Sequence, residues 1–253
     1  MSASLFDIVT FTNEFLGIDK ISDYCPNGLQ VEGARSVTKI IGGVSASQAL
    51  IDYAVSVNAQ AILVHHGYFW KGEASPVVGI KKNRLKALLE NDISLIAYHL
   101  PLDMHPDVGN NAQLANLLEF EILGPLDPKA KQSVGSIGKL KSPMTAVELQ
   151  SVISRKLARQ CQHIGEPGDT INTIAWCTGG AQSLIQVAAD QDADAYISGE
   201  ISEPTVLVAR ENGIHYYAAG HHATERGGVQ ALGEKLKSQF DIEFHFEDIS
   251  NPA

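Results

Sequence analysis

The sequence predicts an α/β fold built from two similar α/β modules, each a mixed sheet flanked by helices. Short apolar segments alternate with amphipathic segments of helical period, which is typical of βαβ units with parallel strands. The pattern also occurs twice, because residues 38–66 align with residues 172–200 at a constant offset of 134. In both copies a Gly/Ser turn precedes the helix, where glycine allows the bend and a small polar side chain caps the helix. Coincidence between two common βαβ units is the alternative to an internal duplication.

The similarity between the halves continues after a change of register. Residues 93–103 align with residues 215–225 at an offset of 122, so that His99 matches His221. The change of offset gives the first half 12 extra residues, which we place in the loop at 68–80.

The two modules are expected at 1–124 and 125–253. Residues 122–157 contain three prolines with glycines and lysines between them, which is typical of a connection between modules. A short strand at 134–140 and a helix from Thr145 follow, because Thr145 and Glu148 have the spacing of a capping box. Residues 241–249 alternate as a last strand, and the alternative that this strand packs back on the first module stays open.

Composition excludes several classes of protein. A formal net charge of −10 argues against a general nucleic-acid binder, and the local basic patch at 71–84 is more simply a solvated loop and helix start. The sequence contains no apolar run long enough to cross a membrane. Three widely spaced cysteines without a CxxC motif argue against a disulfide framework or a cysteine zinc site and favour the cytoplasm.

Histidines and carboxylates follow three of the predicted strands. In α/β proteins, the carboxyl ends of the strands are where ligands bind. Because loops on a rigid sheet commonly carry the chemistry, these residues are the candidate site. They are His65 and His66, then His99 and Asp103, and finally His221 and Glu225.

The pattern favours a pair of metal ions. Successive side chains on a strand point to opposite faces, so His65 and His66 are expected to diverge and to serve different ions. Asp103 and Glu225 are the available bridging carboxylates, and helical spacing brings His221 near Glu225. Imidazole and carboxylate ligands suit zinc, iron, manganese or nickel. The alternative is that the histidines are polar strand-end residues without a metal.

The repeat is broken at the histidine pair. Gly199 and Glu200 stand where the first half has His65 and His66, so the two halves are expected to build one composite site. Glu200 is either a neighbour of that site or an ordinary hydrogen-bonded carboxylate. The segment Tyr68–Lys71 either stacks on a base or pterin-like ring and meets a phosphate, or packs within the domain or a subunit contact.

Five segments in order resemble the YbgI-like family of dinuclear-metal proteins. That family is named as homologues of a type 2 GTP cyclohydrolase I and is related to an NGG-interacting-factor group. The segments are DYCPNGLQVEG (23–33), VHHGYFW (64–70), HLPLDMHPDVGNNAQLA (99–115), ISGEISE (197–203) and AAGHHATERGG (218–228).

The resemblance implies a toroidal homohexamer with two divalent metal ions per subunit. It places His65 and Asp103 on one ion and His66 and His221 on the other, with Glu225 bridging both. It also implies that His99 is a neighbour that positions water or substrate.

Two functions remain open at this level. The first is a metal-dependent hydrolase that acts on a purine nucleotide or a damaged derivative, with His99 as the catalytic proton shuttle. The second is a non-enzymatic metalloprotein ring that serves as a scaffold, a metal buffer or a surface for a partner. A protective role against DNA or nucleotide damage has been associated with this branch of the family.

Overall fold

The computed structural model describes residues 2–253. Contacts divide the chain into two compact units. The first unit contains the residues up to Val108 together with Gly228–Ser250, and the second contains Gly109–Gly227 together with Asn251–Ala253. The boundary expected between residues 124 and 125 lies inside the second unit of this division.

The helices and strands follow one another along the whole chain. In order they are β1 (Ala3–Ser4), α1 (Leu5–Leu16), β2 (Gly28–Val31), β3 (Ser36–Val37), β4 (Lys39–Ser45), α2 (Gln48–Ser56), β5 (Ala61–His66), α3 (Gly79–Glu90), β6 (Ser94–Ala97), α4 (Leu100–Met104), α5 (Asn110–Leu118), β7 (Phe120–Pro125), β8 (Ser136–Thr145), α6 (Ala146–Leu157), β9 (Gln162–Ile164), β10 (Thr170–Trp176), α7 (Ile185–Asp190), β11 (Ala195–Ser198), α8 (Glu203–Asn212), β12 (His215–Ala218), α9 (His221–Thr224), α10 (Arg226–Phe240) and β13 (Glu243–Phe246).

The main sheet of the first unit has the strand order β13-β4-β5-β6-β2. Strands β13, β4, β5 and β6 are parallel, and β2 runs antiparallel at the edge. Both faces of β5 are buried, since Leu63 packs in one apolar cluster and Ile62 and Val64 in another. This explains the continuous apolar run of a buried parallel strand and confirms the predicted βαβ unit.

The sheet of the second unit has the order β7-β8-β10-β11-β12-β9. Its three parallel strands, β10, β11 and β12, are flanked by antiparallel β8 and β9. The run β10-β11-β12-β9 therefore has the same order and directions as β4-β5-β6-β2 in the first unit. Helix α6 begins with the predicted capping box between Thr145 and Glu148. The α/β fold with mixed sheets is thus confirmed.

The C-terminal strand belongs to the first unit, because β13 pairs in parallel with β4. The ring of Phe244 on β13 packs where Gly42 and Gly233 have no side chains: a Cβ on Gly42 would lie 2.6 Å from Phe244 Cζ, and a Cβ on Gly233 would overlap the ring. Within residues 2–253, no helix combines the length and apolar character needed to span a membrane.

Gly233→Ala is expected to destabilise the protein, although alanine forms helices more readily than glycine by about 1 kcal/mol. Overpacking against Phe244 should cost about 1–3 kcal/mol, which outweighs that gain. Urea unfolding measures the effect, and Phe244→Ala supplies the control. In the Phe244→Ala background the same change should be neutral or stabilising, and stabilisation of the wild type by Gly233→Ala would contradict the packing described.

Candidate metal-binding clusters

The candidate residues of the first unit lie at the strand ends expected from the sequence. Strand β5 ends at His66, so His65 and His66 are its last two residues. His99 follows β6 and precedes α4, and Asp103 lies within α4. Because β5 and β6 are parallel neighbours, their carboxyl ends bring these side chains to the same edge of the sheet.

His65 is buried and held in one tautomer. Its Nδ1 lies 2.9 Å from the carbonyl oxygen of Tyr98, which can only accept, so Nδ1 carries the hydrogen. The Nε2 atom of His65 faces Asp103 Oδ1 at 3.5 Å. A neutral imidazole would present a second acceptor to this carboxylate. A cation bound between Nε2 and the carboxylate would satisfy both acceptors.

The expected divergence of His65 and His66 is wrong. Their ring centroids are 4.6 Å apart, and the His65 and His99 centroids are 5.0 Å apart. His66 lies opposite Ser45 at the end of the β4–β5 ladder, and its Nδ1 is 3.0 Å from Ser45 Oγ. This contact orients the His66 ring. Because His66 is the last residue of β5, the alternation of side chains along the strand no longer decides where that ring points. One ligand atom from each of His65, His66 and His99 falls within 4.8 Å of the others.

His99 is oriented by Asp23, a residue the sequence analysis did not single out. The Nδ1 atom of His99 lies 2.9 Å from Asp23 Oδ1, and the Asp23 side chain is 3% exposed. The backbone N–H groups of Tyr24 and Leu100 and the side-chain amide of Asn27 also donate to this carboxylate. Since the carboxylate accepts from Nδ1, the other ring nitrogen, Nε2, faces the cluster.

Asp23 stays ionised in this environment. Burial alone would raise its pKa, but hydrogen bonds from His99, Asn27 and Leu100 and the charge of His99 outweigh burial and hold the pKa well below the usual 3.8. A fixed negative charge at Asp23 keeps the hydrogen of His99 on Nδ1.

Cys25 lies beside this carboxylate without becoming a nucleophile. Burial is the main cause that raises the pKa of Cys25 to about 12, and the negative charge of Asp23 adds to it. The thiol therefore stays protonated at neutral pH.

The three aromatic residues that follow β5, Tyr68–Trp70, make different contacts. Tyr68 is buried and donates to the carbonyl oxygen of Ala46, so it packs within the domain. Phe69 points toward Lys81, whose Nζ is 5.1 Å from the ring centroid. Trp70 lies against the histidines, with its centroid 6.0 Å from His66.

The second unit has its own cluster at the carboxyl end of β12. His221 begins α9, and Glu225 directly follows this helix, four residues later, with His221 Nε2 3.3 Å from Glu225 Oε2. This confirms the contact expected from the spacing. The Nδ1 atom of His221 is 2.7 Å from Glu200 Oε1, so Glu200 is a direct neighbour of this histidine.

Glu225 is buried, at 3% exposure, whereas the side chain of Glu200 is 44% exposed. Gly179, whose φ is +68°, adjoins the Glu225 carboxylate so closely that a Cβ would overlap it. The absence of a side chain at Gly179 thus makes room for a buried carboxylate.

The two carboxylates beside His221 stabilise its imidazole as a cation. Its hydrogen bond to Glu225 is the largest cause that raises the pKa of His221 to about 9, with Glu200 adding to it and burial opposing it. Two carboxylates around one imidazole favour positive charge at this position.

Both clusters have the chemistry of metal ligands. Imidazole nitrogens and carboxylate oxygens are the donors that zinc, iron, manganese and nickel accept. The first unit contributes His65, His66 and Asp103, with His99 beside them, and the second contributes His221 and Glu225. The hydrogen bonds at the Nδ1 atoms of His65, His66 and His221 are of the kind that orient histidine ligands.

The chain is similar to known proteins in both sequence and structure. A family model described as Duf34/NIF3 (NGG1p interacting factor 3) matches residues 3–252. A Pseudomonas aeruginosa protein named GTP cyclohydrolase 1 type 2 homolog is 54% identical over 253 residues, covering 100% of both chains. A solved structure named protein ybgI, of unknown function, is 51% identical with a TM-score of 0.95, covering 99% of this chain and 100% of its own. A Thermus thermophilus structure is 30% identical with a TM-score of 0.88, covering 99% and 100%.

Asp23→Asn is expected to remove a pH-dependent part of the stability. Ionised Asp23 stabilises the folded state fully above its unfolded pKa of about 3.9, and this stabilisation is lost as the pH falls through the lower folded pKa. The stability difference between wild type and Asp23→Asn should therefore narrow below about pH 4. Urea unfolding midpoints measured across pH test this. Asp19→Asn, at an exposed position, is the control and should show a constant difference, and a constant difference for Asp23→Asn would contradict the prediction.

Proposed function

We propose that this chain, which belongs to the Duf34/NIF3 family, is a dinuclear metal-dependent hydrolase. Its proposed substrate is a purine nucleotide or a damaged nucleotide. The observation that carries the proposal is the cluster of buried His65 and Asp103 beside His66 and His99 at one sheet edge. The name of the Pseudomonas relative, which refers to GTP cyclohydrolase, supports a purine nucleotide as the substrate class.

The proposed ligands come from both units. His65 and Asp103 would hold one ion, His66 and His221 the other, and Glu225 would be shared by both. The 3.5 Å separation of His65 Nε2 and Asp103 Oδ1 supports the first pair. The burial of Glu225 beside His221 supports the shared carboxylate, because a buried carboxylate is costly unless cations offset its charge.

When bound, a pair of divalent ions supplies Lewis-acid activation of water and stabilisation of developing negative charge. The chain itself contributes the proton chemistry. His99, with Nδ1 bonded to Asp23, can accept or donate a proton at Nε2, where Tyr24 Oη lies 3.5 Å away. Asp23 keeps the ring in the orientation that this role needs.

The hydrolase is tested by turnover of GTP and oxidised GTP by the metal-containing protein, with products followed by mass spectrometry. His99→Ala should lower the rate by about 10²–10⁴-fold while leaving the metal content unchanged, because it removes a proton carrier and no ligand. His245→Ala, at an exposed position on β13, is the matched control and should keep full activity. Failure of the wild type to turn over either nucleotide would overturn the hydrolase and leave a non-enzymatic metalloprotein.

We also propose that the chain assembles as a homohexamer. Within the first unit, Val77, Val78 and Ile80 are exposed in and after the loop between β5 and α3. Within the second unit, Ile122 and Leu123 are exposed on the edge strand β7. Clustered apolar side chains and an open strand edge are typical of surfaces that bind another chain.

Native mass spectrometry is expected to give six times the chain mass of 27.2 kDa. Leu123→Glu should shift the population to smaller species, because it places a charge on the apolar edge of β7. Leu207→Glu, at another exposed leucine on α8, is the control and should leave the mass unchanged. A monomeric wild type would contradict the hexamer.

A further inference from the structure

We propose that Tyr24 and Trp70 form a binding subsite for a planar heteroaromatic ring beside His99. The subsite would take the base of the nucleotide, and in that respect the inference deepens the proposed function. It is carried by a different observation, which is the arrangement of three rings within the first unit.

Two aromatic rings contact the His99 imidazole. The Trp70 and His99 centroids are 5.0 Å apart with an interplanar angle of 84°, and the Tyr24 and His99 centroids are 4.9 Å apart at 73°. Both aromatic rings therefore meet the imidazole edge to face. Tyr24 and Trp70 are tilted by 37° to each other at 5.7 Å. The indole of Trp70 and the phenol of Tyr24 thus both lie next to the residue proposed to move the proton.

The local backbone holds this pair in place. The backbone N–H of Lys71 donates to the carbonyl oxygen of Tyr24 at 2.8 Å, which joins the two loops that carry the rings. The indole Nε1 of Trp70 donates to the carbonyl oxygen of Gly67 at 3.2 Å.

Exposure separates Tyr24 from the aromatic residues of the core. Tyr24 is 52% exposed, whereas Tyr68 on the neighbouring loop is 6% exposed and packs in the apolar core. A large accessible ring fixed beside buried polar groups offers a face for stacking. Tyr24 Oη and His99 Nε2 also offer donors and acceptors at one edge. A flat ring with nitrogen and oxygen atoms on its rim fits this combination, since any base has a π-face that aromatic residues can stack on.

Tryptophan fluorescence tests the subsite directly. The chain has two tryptophans, and Trp176 is fully buried in the second unit, so ligand-dependent quenching reports on Trp70. Guanosine monophosphate should quench saturably, and ribose 5-phosphate, which lacks the base, should not. Trp70→Phe, which keeps Trp176, should abolish the response. Tyr24→Ala should weaken binding about tenfold, the usual loss for one stacked base, and Tyr24→Phe should restore it.

Phe69→Ala is the matched control, because its ring lies near Lys81 rather than His99 and binding should not change. Equal quenching by ribose 5-phosphate, no quenching by guanosine monophosphate, or unchanged binding in folded Tyr24→Ala would overturn the subsite. Failure of the subsite is distinguishable from failure of the hydrolase. Base-dependent quenching without turnover would support the subsite and reject the hydrolase. Turnover without base-dependent quenching would support the hydrolase and reject the subsite.

Discussion

The hydrogen bond from His65 Nδ1 to the Tyr98 carbonyl is the interaction on which the first cluster depends. It joins the end of β5 to the residue directly after β6, and it exists because these parallel strands end at the same edge of the sheet. By fixing the hydrogen on Nδ1, it directs Nε2 toward Asp103. The apolar core beneath β5 keeps this edge rigid, so that a buried imidazole and a buried carboxylate are held together.

The second unit also brings an imidazole next to carboxylates, but with different residues. Its strands β10, β11 and β12 have the order and direction of β4, β5 and β6, but β11 is followed by Gly199 and Glu200 rather than by histidines. The imidazole comes from α9, where His221 lies between the exposed Glu200 and the buried Glu225. Each unit therefore combines imidazole with carboxylate, which is the donor set of a divalent metal.

The sequence was sufficient for the features that depend on local pattern. Apolar runs and helical periods placed the strands that end at His66, Ala97 and Ala218, and the four-residue spacing of His221 and Glu225 predicted their contact. Alternation failed at His66 because its direction depends on Ser45, a residue on a neighbouring strand. Asp23 and Tyr24 were missed as site residues because they meet His99 only after the chain folds, and nothing local marks that pairing.

The central proposal is that the histidines and carboxylates of the two clusters bind two metal ions. Elemental analysis of untagged protein tests it most directly, with wild type compared with Glu225→Gln and with Glu203→Gln as an exposed control. The account predicts about two ions per chain in the wild type and in Glu203→Gln, and a clear loss in Glu225→Gln. One ion or none in gently purified wild type, or an unchanged content in Glu225→Gln, would contradict it.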